Sequence, residues 1–139
     1  MKNDISALTS RFVVAAELSH AYLIAKRLGE SLKHRDRAEE LHRTIIARGA
    51  DGIEAMLEVA DGTNFPAAIL SCALTHRLSP KRCAKNLKRI MKRGGPAYSM
   101  AARGVMEMLD AIRRGGAGMR DRGDGCYSVS FGIEELTRR

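Results

Sequence analysis

Two Glu-x-x-His motifs, Glu17-x-x-His20 and Glu39-x-x-His42, each place a carboxylate and an imidazole on one face of a helix, because residues three apart are neighbours on a helical surface. Two such motifs on facing helices form the centre of ferritin-like di-metal sites; Glu54, Glu58 or Glu107 are then candidates for bridging carboxylates. With nine Glu and four His in the chain, however, two occurrences are only mildly unexpected. His34 and His42 lie eight apart and His76 stands alone. The three cysteines, Cys72, Cys83 and Cys126, form no CxxC pair, so neither a zinc site nor a disulfide framework is expected. Cys72 and Cys83 fall on or near apolar faces and read as small core residues rather than nucleophiles. No GxSxG, P-loop, GxGxxG or HExxH motif occurs. The expectation is a protein that is not an enzyme, with no catalytic residue, no metal and no cofactor; a small di-metal carboxylate protein is the least favoured alternative.

The most informative stretch is basic. From Gly62 to Met106 there are nine Lys or Arg residues and no acid, and seven of the nine lie between Lys81 and Arg93. At about 100° per residue, Lys81, Arg82, Lys85, Lys88, Arg89, Lys92 and Arg93 share an arc of about 140°. Cys83, Ala84, Leu87, Ile90 and Met91 occupy the opposite side. Like charges at helical spacing repel, and no Asp or Glu is interleaved to offset them. These seven residues are the candidate partner-binding surface.

The elements that must carry this surface are helices. Ile5, Leu8, Phe12, Val13, Ala16, Ser19 and Leu23 recur at steps of three and four, and the pattern resumes at Leu28, Leu32, Leu41, Ile45 and Ile46. A break is expected between Lys26 and Asp36, where Asp36 with Glu39 reads as a capping box. Ala47-Arg48-Gly49 reads as a helix end, and Asp51 with Glu54 as a second capping box. Asp61-Gly62-Thr63-Asn64 is turn chemistry, Pro66 opens a helix, Ser79-Pro80 opens the basic one, and Pro96 opens another after Gly94-Gly95. After Arg114, five glycines within eleven residues predict a flexible linker. Tyr127, Val129, Phe131 and Ile133 then alternate with small or polar residues, the pattern of a short strand.

Composition agrees with one soluble helical domain. The 139 residues are 45% hydrophobic and 29% charged, with 4% aromatic and no Trp, so the core must be built from aliphatic, Met and Ala side chains. No run approaches the roughly 20 apolar residues of a membrane span. The N-terminal stretch is broken by Arg11, Glu17 and His20 and lacks a signal-peptide h-region. With three cysteines and no evident pairing, a reducing cytoplasm is the expected location. The net charge of +8 attracts acidic partners.

Residues 53–78 and 83–108 align at an offset of 30, pairing Leu57 with Leu87, Ala60 with Ile90, Pro66 with Pro96, Ala67 with Ala97 and Leu78 with Met108. Each copy reads as a short helix, a Gly-containing turn, and a proline leading into another helix, the signature of stacked helix pairs. This layout resembles HEAT-like helical-repeat proteins. More narrowly, Arg11-Phe12, Ala47-Arg48-Gly49 and Leu57 through Leu78 resemble a family of short bacterial proteins known only as a domain of unknown function. The chain departs from that family at Gly62-Thr63-Asn64-Phe65, where a His-Pro-Asp type turn is more usual. The resemblance implies an all-α, HEAT-like α-α superhelix of five to six helices. The resemblance covers about Phe12 to Arg114; the residues themselves read as one domain over 1–114, with N-terminal helices over 1–49 and HEAT-like pairs over 50–114, and the glycine-rich tail over 115–139 lies outside the match. The resemblance carries over no catalytic residue. In such stacks the first helix of a pair lies on the convex side, unlike the basic concave face of HEAT-like DNA glycosylases.

The functional expectation is a non-enzymatic interaction module that presents the basic helix to an acidic protein. Nucleic acid is the alternative partner, since phosphates need only Lys and Arg, and Arg113, Arg114, Arg120 and Arg122 would extend the footprint. No aromatic is interleaved with the stripe to stack bases. Membrane insertion is not expected.

Overall fold

The computed structural model describes residues 2–113, with side chains from Asp4 onward. Among the described residues there are six α-helices and no strand: α1 (Lys2–Ile24), α2 (Leu28–Ile46), α3 (Ala50–Asp61), α4 (Phe65–Thr75), α5 (Pro80–Arg93) and α6 (Gly95–Arg113). The glycine-rich tail and its alternating segment lie outside them. No described helix is long and apolar enough to cross a membrane.

α1 and α2 form an antiparallel hairpin. Its turn is tighter than the spacing of apolar residues suggests: only Ala25 to Arg27 separate the helices, and Lys26 takes φ 61°. Asp36 and Glu39 therefore sit inside α2 rather than capping it. The helices approach closely at two small residues. Ser19 Oγ donates to the Ser31 carbonyl (2.9 Å) and Ser31 Oγ donates to the Ser19 carbonyl (2.7 Å), which satisfies both buried hydroxyls without a bulky side chain. The buried face of α2 includes Arg35, Glu39 and His42, each with an interaction partner.

α3 follows Gly49, whose φ of 89° reverses the chain. The N-cap is this glycine, with no side-chain bond, so Asp51 and Glu54 do not form the expected capping box. α4 is capped by Asn64, whose side chain accepts from the Ala67 amide (3.2 Å), and Pro66 sits in its first turn. Eight of the residues of α4 are buried, most of them Ala, Ser, Cys or Thr. It is packed against α1, α3, α5 and α6. Its Ser71 hydroxyl donates to the Met56 carbonyl of α3 (2.6 Å).

The repeat is visible in the elements. α3 and α5 begin 30 residues apart, as do α4 and α6. Leu57 and Leu87 are both buried, as are Ala60 and Ile90. The match lapses at two other pairs: Ala67 is buried and Ala97 exposed, and Leu78 is exposed and Met108 buried. Two apolar clusters result. One joins α3 through α6 around Cys72, Leu87, Ile90 and Leu109. The other joins α1 and α2 to α3 and α4 around Phe12, Ile45, Met56 and Leu74.

Two glycines give opposite expectations. A Cβ on Gly52 would stand 1.8 Å from the Ile45 carbonyl oxygen, whereas one on Gly104, on the exposed face of α6, meets nothing within 4 Å. Gly52→Ala is therefore expected to cost on the order of 3 kcal/mol, the upper end of overpacking. Gly104→Ala is expected to gain ~0.5–1 kcal/mol from helix entropy. Urea unfolding midpoints of the two variants check both signs.

Candidate binding surface on α5

α5 is held by one face and exposed on the other. Cys83, Asn86, Leu87 and Ile90 are buried against the domain, while Lys81, Lys85, Lys88, Lys92 and Arg93 are exposed. Arg82 and Arg89 are half-buried and engaged. The sequence alone puts all seven cations on one unopposed stripe; the fold divides them into two engaged arginines, Arg82 and Arg89, and five exposed cations, the four lysines and Arg93.

The arginines form the joint between α5 and α3. Arg82 Nε donates to both carboxylate oxygens of Asp61 (3.2 and 3.1 Å), and its Nη1 and Nη2 donate to Glu54 (3.2 Å each). Arg82 Nη2 also pairs with Asp61, and the Asn86 amide donates to the same carboxylate. Arg89 Nη2 donates to the carbonyls of Ala60 (3.1 Å) and Gly62 (3.0 Å), at the C-terminus of α3. A cation there meets unsatisfied carbonyls and the negative end of the helix dipole. Both acids of α3 thus converge on Arg82, while Arg89 closes on the carbonyls at the end of the same helix. The relief of like-charge repulsion comes from a different helix, and no local pattern in the sequence points to Glu54, Asp61 or Asn86.

The hydrogen bonds from Arg82 hold the Asp61 carboxyl below its ordinary range; burial opposes them, and the Asn86 hydrogen bond adds to the lowering. The same bonds to Asp61, then those to Glu54, raise the Arg82 guanidinium. With Arg82, Asp61 and Glu54 side chains 33%, 42% and 53% exposed, each pair is worth only ~0.2–1 kcal/mol. The joint positions α5 more than it stabilises the domain.

Outside the joint, the lysines form a line. Lys81, Lys85, Lys88 and Lys92 are spaced four, three and four residues apart, which keeps them within about 60° of helix surface along roughly 16 Å of axis. The Glu-x-x-His residues do not converge. Glu17 is exposed and accepts from Asn64 Nδ2 (2.8 Å), whereas Glu39 and His42 are buried on α2. Among the described residues no group of three or more His, Cys, Asp or Glu is arranged to hold a metal ion. His20 packs on Tyr98, and burial lowers its pKa. Cys72 and Cys83 are fully buried, as their apolar surroundings in the sequence suggest. Contact with Cys83 and burial push the Cys72 thiol up.

With the geometry in place, comparison with known protein families, curated proteins and solved structures finds no match to this chain.

The joint makes a pH prediction. A carboxyl held below its unfolded pKa contributes stability above that pKa and loses it as pH falls through the folded value. Asp61→Asn is expected to cost up to ~1 kcal/mol near neutral pH. It should also flatten the loss of stability of the parent protein below about pH 4. Urea midpoints from pH 7 to 2.5 for both proteins test it; parallel curves would mean that Asp61 is not held by Arg82 in solution.

Proposed function

We propose that this protein is a non-enzymatic interaction module that presents the lysine line of α5 to an acidic protein partner. The reading includes the finer architecture suggested by the repeat: α3–α4 and α5–α6 stack as two HEAT-like pairs, with α5 as the first helix of its pair on the convex side. It also places the protein in the cytoplasm, where buried Cys72 and Cys83 remain thiols.

One observation carries the proposal. Arg82 and Arg89 have partners within the fold, yet Lys81, Lys85, Lys88 and Lys92 are aligned outward with no acid among them. A helix surface without a binding role usually mixes signs, because unrelieved like charges cost tenths of a kcal/mol per pair. Lysine is also the fitting residue for this duty. Its ammonium is a hydrated point charge on a flexible stem, suited to acidic surfaces of varied geometry. The ridge carries no aromatic residue to stack bases, which favours protein carboxylates over single-stranded nucleic acid.

Fluorescence anisotropy with labelled poly-glutamate, duplex DNA, single-stranded DNA and RNA across a salt series tests the proposal. The parent protein is compared with Lys85→Glu/Lys88→Glu/Lys92→Glu. Binding to poly-glutamate that weakens at least tenfold in the variant, with an unchanged urea midpoint, is the expected result. Tighter binding to a nucleic acid, with a steep salt slope lost in the variant, would replace the acidic protein by a phosphate backbone. No binding to any probe, together with no partner captured differently by parent and variant, would overturn the reading.

A further inference from the structure

α1 has apolar residues on two sides. Phe12, Ala15, Ala16 and Ser19 are buried in the domain, but Val14 and Leu18 are 55% and 37% exposed. They line an open groove of about 320 Å³ between α1 and α2, together with Ala15 and with Arg11, His34 and Arg37. Of its lining residues, His34 is held by stacking on the Tyr22 ring at 5.3 Å, with the Arg27 guanidinium 5.0 Å from that ring. Arg11 and Arg37 are exposed and form no salt bridge among the described residues. An occupant must therefore offer apolar side chains and carboxylates together.

Beyond the described helices, the chain contains one stretch of that chemistry. Between Arg122 and Arg138 there is no Lys or Arg, in a protein of net charge +8. Within it Tyr127, Val129, Phe131, Ile133 and Leu136 are apolar, and Glu134 and Glu135 are adjacent acids. We propose that residues 127–136 occupy the α1–α2 groove of their own chain, with the apolar residues against Val14 and Leu18 and the glutamates toward Arg11 and Arg37.

Reach permits this. α6 ends at Arg113, fourteen residues before Tyr127, and at ~3.3 Å per residue that length spans up to about 46 Å. A domain of this size has a radius of gyration near ~13 Å, so every face lies within range, and the tether supplies an effective concentration on the order of millimolar. The lysine line is the competing site for two glutamates. It offers charge but no apolar surface, and would leave five apolar side chains of the segment in water. The groove meets both requirements.

Cys126 provides the test in the full chain. Cys72 and Cys83 are buried, so a maleimide nitroxide reacts at Cys126, one label per chain by mass. Methyl NMR spectra of the labelled protein then report which residues lie near the segment. Selective broadening of Val14 and Leu18, with exposed Leu78 and Met100 unaffected, is the expected result. Glu134→Lys/Glu135→Lys should reduce that broadening at least fivefold, as should Val14→Asp, whose exposed position spares the core. Broadening along α5, uniform broadening, or none would overturn the proposal. So would broadening of an isotope-labelled, nitroxide-free chain mixed with a labelled one, because it would assign the occupant to a second copy.

Discussion

The rest of the domain depends on the burial of α4. A helix that is apolar or small on all sides has no face for water and must be enclosed by others. α4 meets this condition mostly with small residues, Ala67, Ala68, Ala73, Ser71 and Cys72, beside the two large ones Ile69 and Leu74. Small side chains let α1, α3, α5 and α6 all reach it. This explains how a chain with 4% aromatic residues forms a dense interior: close backbone approach substitutes for bulky filling. The polar atoms that accompany such an approach are satisfied locally, as Ser71 is by the Met56 carbonyl.

Enclosing α4 fixes where α5 lies but not how it is rotated about its axis. Its buried residues Cys83, Leu87 and Ile90 supply an apolar preference, and the arginine contacts with α3 add directional bonds. Guanidinium forks are suited to this task because they engage two carboxylate oxygens at set geometry. Once Arg82 is on Asp61 and Glu54 and Arg89 is on the end of α3, the lysines are left pointing outward. The orientation of the basic surface is thus a consequence of the joint beneath it.

Most helices were legible from apolar spacing and from punctuation. Asn64 with Pro66, Ser79 with Pro80, and Gly94-Gly95 mark element boundaries that the fold uses. The N-terminal hairpin was less legible for a physical reason. Glu39 and Asp36 look like cap residues because acids are usually exposed, yet Glu39 is buried on a face that also holds Arg35 and His42. Local sequence does not reveal that an acid has tertiary partners. The same reason hid the joint. Within α5 the cations seem unopposed, and Glu54 and Asp61 lie 28 and 21 residues before Arg82.

The sorting of cation types has a chemical consequence. The outward line is built from primary amines, while the inter-helix joint is built from guanidiniums, which react poorly with acyl donors. Acylation of lysine removes its charge. A reagent or enzyme directed at amines would therefore remove the four lysine charges, leaving Arg93 as the one exposed cation of α5 and the α3–α5 joint standing. The surface potential of this protein can be varied by covalent chemistry independently of its fold.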